Sequence, residues 1–214
     1  MSISIPGRVV VFDYGEVISL SPSKAARTTL EMLVGVGLDG RAPTAEQFWA
    51  SYGEHREALD HGRLSVTEYW TTIARDIGVT LTASRIHELW YVDFSSWLTP
   101  ETGTVDLIER LHEGGTRLAI LSNAGFDFGS PFRSSPLGAF FERVFVSAEL
   151  DDLKPAASIY EHVLTELGTS AADTVFIDNK KVNVDAAEAL GITGHVFTTP
   201  AELESFLQSL ATAS

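Results

Sequence analysis

The first clear hydrophobic pattern in the chain is a short apolar segment that ends at a carboxylate. Residues 8–20 read RVVVFDYGEVISL, so an unbroken apolar run leads directly into Asp13, with Gly15 two positions later. An apolar run without alternation is typical of a strand buried on both faces of a parallel sheet. Ligands of open α/β sheets bind at the carboxyl ends of the strands, which makes Asp13 a candidate site residue. Taken alone, however, Asp13 is better explained as the residue that simply ends the strand.

Residues 21–97 follow a different pattern, in which apolar positions recur at the three- and four-residue spacing of helices. Two helix starts carry capping boxes, in which a Ser or Thr is followed three residues later by Glu or Gln. These boxes are Thr44 with Gln47, and Ser65 with Glu68. The segment therefore predicts an all-helical insertion of about four helices.

From residue 98 onward, predicted strands and helices alternate. Strands are predicted at residues 117–121, 143–146, 174–177 and 195–197, and helices at residues 102–113, 156–167, 182–190 and from Thr199 onward. Strands that alternate with helices indicate a parallel sheet with right-handed crossovers. We therefore predict an α/β fold whose parallel sheet core is formed by residues 1–20 and 98–214. The all-helical cap of residues 21–97 is inserted into this core.

Composition narrows the possible functions. Lys and Arg number 15 and Asp and Glu number 29, which gives a net charge of −14. This balance disfavours nucleic acid and anionic membranes as partners, because both require a basic surface. The chain contains no cysteine, which excludes disulfides, thiolate zinc sites and cysteine nucleophiles. The first residues lack a signal-peptide pattern and no apolar run is long enough to span a membrane, so we expect a cytoplasmic protein. The oligomeric state is left open.

Polar residues that favour phosphate or metal chemistry lie beside four of the predicted elements in order. They are Asp13 with Gly15, then Ser122–Asn123, then Lys154–Pro155, which opens the helix at residue 156 instead of following an element, then Asp178–Asn179 with Asn183 downstream. Each motif is weak by itself, but the four in this order, around an inserted cap, are a specific signal. The pattern resembles the haloacid dehalogenase-like (HAD) hydrolases along nearly the whole chain. The resemblance is strongest to the phosphatase branch with a Rossmann-like core and a helical cap inserted after the first motif.

The resemblance implies a phosphatase that acts on small phosphorylated metabolites through an aspartyl-phosphate intermediate. Asp13 would be the nucleophile that attacks phosphorus. Ser122, together with the backbone N–H of Asn123, would bind the phosphate oxygens. Lys154 would neutralise these oxygens and the nucleophile. The partner is then a small-molecule phosphate ester.

The resemblance also implies a Mg²⁺ cofactor. Asp13 and Asp178 would bind the ion through carboxylate oxygens, and Gly15 would supply its main-chain carbonyl. Oxygen ligands of this kind are the ones that Mg²⁺ prefers. Asn183 is expected to orient the loop after Asp178 rather than to bind the metal.

Two positions depart from the usual phosphatase pattern. Gly15 stands where such enzymes have a second aspartate that acts as general acid and base, and acid–base help is worth about 10²–10⁴-fold in rate. Glu16 is the adjacent candidate for a replacement acid. Asn179 stands where a second aspartate is more usual, so weaker Mg²⁺ binding is expected. A subgroup of sugar-phosphate phosphatases also has Asp-x-Gly at the first motif, which makes sugar phosphates one candidate substrate class.

Two alternatives to the phosphatase hypothesis follow from these departures. The first is a 2-haloacid dehalogenase, which would use Asp13 as nucleophile without a metal. Dehalogenases of the family usually carry Tyr at the position of Gly15, which disfavours this alternative. The second is a catalytically weak protein that retains the fold for binding or interaction.

The cap is expected to determine the substrate. His55 and Arg56, on a predicted cap helix, are expected at the surface rather than in contact with substrate. The tryptophans of this region are expected to fill the cap core or its contact with the main domain, namely Trp49, Trp70, Trp90 and Trp97. Flexible connections near residues 19–22 and 95–100 would allow the cap to close over the site.

Overall fold

The core of the protein is a parallel sheet of five strands, in the spatial order β3–β2–β1–β4–β5. This architecture comes from a computed structural model, which describes residues 2–38 and 42–212, without the side chain of residue 212. The strands are β1 (Val9–Phe12), β2 (Arg117–Ser122), β3 (Arg143–Val146), β4 (Thr174–Asp178) and β5 (Thr193–Val196). The predicted α/β fold with a parallel sheet is therefore confirmed.

Helices cover both faces of this sheet. Those outside the insertion are α6 (Thr102–Glu113), α7 (Phe126–Arg133), α8 (Ser147–Leu150), α9 (Ala157–Leu167), α10 (Lys181–Ala189) and α11 (Pro200–Thr212), with a 3₁₀ turn at Leu137–Phe140. Successive residues of β1 point to opposite faces, as strand geometry requires. Val10 and Phe12 pack into one hydrophobic cluster with α6 and α11, whereas Val9 and Val11 pack into another with α9 and α10.

Two parts of the core differ from the sequence-based prediction. A loop was predicted before the strand at residues 143–146, yet this segment contains α7, although Gly129 and Pro131 lower its helix propensity. Pro131 is tolerated in the middle of this helix, and Phe128 and Phe132 anchor the helix in the core. The last strand begins at Thr193 rather than at residue 195, because Gly194 belongs to it. A Cβ atom at Gly194 would lie 2.5 Å from Cγ1 of Val184, so only glycine allows α10 to cross β5 this closely.

Within residues 13–38 and 42–101, five helices lie between β1 and α6 and form the inserted layer. They are α1 (Lys24–Val34), α2 (Ala45–Glu54), α3 (Arg56–Asp60), α4 (Val66–Asp76) and α5 (Ala83–Ser96). The prediction of about four helices missed the short α3. Both predicted capping boxes are formed. The inserted helices share a separate hydrophobic cluster that includes Leu30, Phe48, Trp70 and Leu89.

The chain enters and leaves the helical layer at one place. The backbone N–H of Leu20 donates to the carbonyl of Thr99 at 2.8 Å, and that of Glu101 donates to the carbonyl of Ile18 at 2.8 Å. The two connections predicted to be flexible are thus joined by backbone hydrogen bonds. Cap closure through them stays a prediction. No helix within the described residues is long and apolar enough to cross a membrane.

The close crossing of α10 and β5 generates a stability prediction. Gly194→Ala should lower the free energy of unfolding by about 1–3 kcal/mol, because the added methyl group overpacks a site bounded by Val184. Gly53→Ala is the matched control, since a Cβ atom at Gly53, inside α2, meets nothing within 4 Å. It should raise stability by about 0.5–1 kcal/mol through helix propensity. Urea unfolding of both variants measures the difference, and a Gly194→Ala variant as stable as the unaltered protein would show that the crossing is looser.

Candidate active site

The predicted site residues meet at the carboxyl end of the central strands. Asp13 follows β1, and its backbone N–H donates to the carbonyl of Ile177 in β4 at 2.8 Å. Asp178 is the last residue of β4, and Ser122 is the last residue of β2, the other neighbour of β1. Because the three strands are parallel and in register, their terminal side chains are delivered to the same edge.

Lys154 joins the two aspartates. Its Nζ donates to Oδ1 of Asp13 at 2.7 Å, to Oδ2 of Asp178 at 2.8 Å and to the carbonyl of Leu121 at 2.8 Å. All three ammonium hydrogens therefore have acceptors. The side chain is only 1% exposed. Considered without its neighbours in the sequence, Lys154 would be expected at a solvated surface, and the structure shows the opposite.

Asn123 holds the backbone of Lys154 in place. The Nδ2 group of Asn123 donates to the Lys154 carbonyl at 2.9 Å, and its Oδ1 accepts from the Lys154 N–H at 3.0 Å. The side chain of Asn123 is thus occupied by a two-point contact, which leaves only its backbone N–H for the predicted phosphate contact. Ser122 is buried and lines the same cavity as Asp13 and Lys154.

Burial and neighbouring charges set the charge states of Asp13 and Lys154. Burial raises the pKa of Asp13 to about 6; Lys154 opposes this shift, and the negative charge of Asp178 adds to it. Burial lowers the pKa of Lys154, but the two carboxylates outweigh burial and hold it above its ordinary value. Lys154 is therefore charged at neutral pH, and two carboxylates share one positive charge. A second cation at this site would favour the ionised form of Asp13 that nucleophilic attack requires.

Asp178 is held by three donors. Its Oδ1 accepts from the backbone N–H of Lys180 at 2.7 Å, and its Oδ2 accepts from Nδ2 of Asn183 at 2.9 Å in addition to Lys154. Asn183 is itself buried in α10, and its carbonyl accepts from the hydroxyl of Tyr160 at 2.8 Å. Asn183 therefore contacts Asp178 directly, and its orienting role stays a prediction.

Asn179 supplies an oxygen that fits a metal ion. Its Oδ1 atom is buried without a hydrogen-bond partner, and the residue lines the same cavity as Asp13 and Gly15. Within the described residues, no group of three or more His, Asp or Glu side chains could hold a metal by itself. The available donors are then the Asp13 and Asp178 carboxylates, the Gly15 carbonyl and this amide oxygen. A set of few protein oxygens suits Mg²⁺, which keeps several of its waters.

Glu16 is engaged by its neighbours. One carboxylate oxygen accepts from Nδ2 of Asn179 at 2.7 Å, and the other accepts from the hydroxyl of Ser21. Its φ of 60° lies in the left-handed region, which is uncommon for a residue with a side chain. These contacts assign Glu16 to the positioning of Asn179, and they disfavour it as the replacement acid.

A side chain from the end of α5 covers the position of the missing acid. A Cβ atom added to Gly15 would lie 3.6 Å from Cζ3 of Trp97, at ordinary van der Waals distance. Trp97 follows the last residue of α5, so the helical layer reaches the first motif directly. The space beside Gly15 is therefore bounded by an indole ring.

A cavity of about 190 Å³ lies between the sheet edge and the helical layer. This volume is below the roughly 300–1,000 Å³ typical of sites for drug-sized ligands, so the cavity suits a small substrate. Its floor contains Asp13, Gly15, Ser122, Lys154 and Asn179, whereas Asp178 is fully buried and does not line it. The other wall of the cavity comes from α3, α4 and α5. The indole Nε1 of Trp90 donates to Oδ2 of Asp127 at 2.7 Å, which ties this wall to the core.

Arg56 corrects the prediction for the cap. It was expected at the surface, but it is partly buried and lines the cavity. Its Nε donates to Asp60 at 3.1 Å and its Nη1 donates to Asp93 at 3.2 Å. His55 instead pairs with Asp76 at 2.6 Å and does not line this cavity. The tryptophans divide as predicted between the cap core and its contact with the core domain: Trp70, Trp90 and Trp97 line the cavity, whereas Trp49 packs within the cap.

Comparison with known proteins identifies the family. The family model described as "Haloacid dehalogenase-like hydrolase" matches residues 46–196. The chain belongs to the haloacid dehalogenase-like hydrolases. The family resemblance that the four motifs indicated is therefore confirmed.

Characterised relatives of this HAD hydrolase include phosphatases. It is 30% identical over 139 residues to a sesquiterpene phosphatase from Aspergillus oryzae, a match that covers 64% of this chain and 69% of the relative. It is 26% identical over 190 residues to a D-ribitol-5-phosphate phosphatase from Bacteroides thetaiotaomicron, covering 85% of this chain and 87% of the relative. Both relatives act on phosphorylated small molecules, so a hydrolase of the phosphomonoesterase type is supported.

The fold is shared with a solved HAD-family enzyme from Bacteroides thetaiotaomicron, crystallised with magnesium and inorganic phosphate. The TM-score is 0.67 at 20% identity, and the match covers 90% of this chain and 94% of that chain. At this identity the likeness shows the fold alone. Magnesium is thus present in a structure of the same fold.

The cavity wall is what sequence reasoning missed in this HAD hydrolase. Asp60, Asp93 and Asp127 line the cavity, but no motif marks them. Arg56 and Asp60 are four residues apart, which is the spacing of a helical ion pair, and this was the one local signal available.

The buried ion cluster generates a prediction for Lys154. Lys154→Met should lower the free energy of unfolding by about 3 kcal/mol near pH 8, because it leaves two buried carboxylates without their cation. The loss should shrink near pH 5, since Asp13 has a raised pKa in the folded state and takes up a proton there. Urea unfolding at both pH values measures this.

The matched control for Lys154 is Lys24→Met, at an exposed position on α1. It should change stability by less than about 0.5 kcal/mol at either pH. A Lys154→Met loss that is equally large at both pH values would contradict the assignment of the effect to Asp13.

Proposed function

We propose that this HAD hydrolase is a Mg²⁺-dependent phosphatase of small phosphate monoesters, with Asp13 as the nucleophile. The observation that carries the proposal is the buried contact of Lys154 with both Asp13 and Asp178, beside Ser122 on one cavity. Phosphoryl transfer needs positioning and charge neutralisation more than covalent machinery, and this cluster supplies both.

The residues divide the reaction into two steps. An oxygen of Asp13 attacks phosphorus, the bond from phosphorus to the ester oxygen breaks, and the alcohol leaves with a proton. Water then displaces Asp13 from phosphorus and releases inorganic phosphate. Lys154 neutralises the phosphate oxygens throughout, and Ser122 with the Asn123 backbone N–H positions them.

Magnesium supplies a second positive charge at the phosphate when it is bound. Asp13, Asp178 and the Gly15 carbonyl would hold it, and the unpaired oxygen of Asn179 would accept from one of its waters. Asn179 has no charge where the family more usually has an aspartate. We therefore expect the affinity for Mg²⁺ to be lower than with two acidic side chains at this position.

We further propose that the cap supplies the proton donor that Gly15 lacks. Asp60, at the end of α3, lines the cavity, and burial raises its pKa to about 6, with Arg56 acting against the shift. A general acid is most effective when its pKa is close to the working pH. Arg56 holds one of its oxygens at 3.1 Å and orients the carboxyl group.

The nucleophile is tested by Asp13→Asn. We expect phosphate release from a panel of phosphate monoesters to fall by at least about 10³-fold, because the carboxylate that attacks phosphorus is lost. The matched control is Asp185→Asn, an exposed position in α10, which should keep full activity. Chelation of Mg²⁺ should abolish turnover of the unaltered enzyme.

Two further measurements would favour the alternative functions. Halide release from 2-chloropropionate without metal would favour a dehalogenase. A stable protein that neither binds Mg²⁺ nor turns over any ester would favour a binding role. Undiminished turnover by Asp13→Asn would rule out the proposed nucleophile.

The proton donor is tested by Asp60→Asn with two leaving groups. We expect kcat for an alkyl phosphate to fall by about 10²-fold, and kcat for p-nitrophenyl phosphate to fall much less, because nitrophenolate leaves without a proton. In the unaltered enzyme the alkyl phosphate rate should decline as the pH rises above about 6, where Asp60 loses its proton. The decline should be absent in Asp60→Asn, and equal losses for both substrates would contradict the assignment.

A further inference from the structure

The cavity wall that faces the phosphate site is largely apolar. Besides the charged side chains of Arg56, Asp60 and Asp93, its cap side carries aliphatic and aromatic side chains, which are Leu59, Val66, Trp70, Trp90, Phe94 and Trp97. Phe94 and Trp97 are partly exposed, in contrast to the fully buried residues of the cap core. Apolar surface left open to a cavity at a phosphoryl site is available to the organic part of a phosphate ester.

The aromatic residues of this wall form a continuous surface along α5. Trp90 and Phe94 are four residues apart and stack with ring centroids 5.8 Å apart at 18°. Trp97 extends the surface to the position of Gly15, beside the nucleophile. One end of this row of rings therefore lies against Gly15, two residues after Asp13.

The charged groups of the same wall are already paired with one another, whereas Nε1 of Trp97 is buried without a partner. Arg56 donates to Asp60 and Asp93, and Asp93 also accepts from the hydroxyl of Tyr52 at 2.7 Å. The indole N–H of Trp90 donates to Asp127. A site that recognises the hydroxyl groups of a polyol needs polar groups available to them, and breaking buried pairs to provide these groups is unfavourable.

We propose that the organic group of the substrate is apolar, so that the enzyme prefers phosphate monoesters of alkyl, isoprenyl or aryl alcohols to those of sugars and polyols. This inference rests on the proposed phosphatase function. The reaction is hydrolysis: the phosphorus–oxygen bond of the ester breaks, water supplies the new oxygen on phosphorus, and the alkoxide takes a proton to leave as the alcohol. The cavity volume of about 190 Å³ favours a short group.

Two esters with the same number of carbon atoms test the preference. Dimethylallyl monophosphate presents an apolar group and D-ribitol 5-phosphate presents a polyol, while acetyl phosphate, a small acyl phosphate, tests phosphoryl transfer with little organic group. We expect kcat/KM to be at least about 10-fold higher for dimethylallyl monophosphate than for ribitol 5-phosphate. An equal or higher value for ribitol 5-phosphate would overturn the inference. Failure to hydrolyse even acetyl phosphate would instead contradict the proposed phosphatase function.

Variants on one helix assign the preference to the wall. Phe94→Ser should raise KM for dimethylallyl monophosphate by about 10-fold and lower kcat/KM for acetyl phosphate much less, because it removes apolar contact to the organic group. Tyr91→Ser is the matched control, since Tyr91 lies on the same helix and is 62% exposed. It should leave the ratio of kcat/KM for dimethylallyl monophosphate to kcat/KM for acetyl phosphate unchanged.

A second variant tests the same wall if Phe94→Ser fails to fold. Leu98 lines the cavity and is 44% exposed, so Leu98→Ser is expected to fold and to raise the same KM. A folded Phe94→Ser or Leu98→Ser variant that keeps the full preference would overturn the assignment to this wall.

Discussion

The contact of one buried ammonium group with two carboxylates is the constraint on which the rest of the structure depends. Lys154 reaches Asp13 and Asp178 from a loop more than 100 residues away from the first of them, and solvent is excluded from the contact. Burying three charged groups is unfavourable unless their geometry is nearly ideal. Three features hold the groups in this geometry. They are the register of β1 with β4, the contact of Asn123 with the Lys154 backbone, and the contact of Asn183 with Asp178.

The cluster also explains why a cation belongs at the site. Lys154 carries one positive charge against two carboxylates, and burial already raises the pKa of Asp13. A divalent ion would change the net charge of the cluster from −1 to +1 and would keep Asp13 ionised, as the proposed nucleophile must be. The same logic applies to the phosphate, whose negative oxygens would otherwise be repelled by the two aspartates.

How far the sequence predicts the molecule depends on whether each signal is local. The strand before Asp13 and the strand before Asp178 were predictable because each is a short apolar run with its polar residue attached. Helix α7 was not, because its propensity is poor and its phenylalanines are held by tertiary packing. The wall of the cavity was the hardest part to predict, because its contacts join distant parts of the chain. Arg56 contacts Asp93, 37 residues further along the chain. Trp97 contacts Gly15 only because α5 returns to the edge of the sheet. The same cap wall, through Asp60 and the aromatic surface of α5, is what we propose supplies the proton and receives the organic group.

The central claim is that Asp13 accepts the phosphoryl group, and its most direct test is to trap the intermediate. The enzyme would be mixed with Mg²⁺ and a hydrolysed phosphate monoester, quenched in acid during turnover, digested and examined by mass spectrometry. The account predicts one phosphoryl group on the peptide that contains Asp13, and none when the metal is omitted. Release of phosphate during turnover with that peptide unmodified, or with the phosphoryl group on another residue, would contradict it.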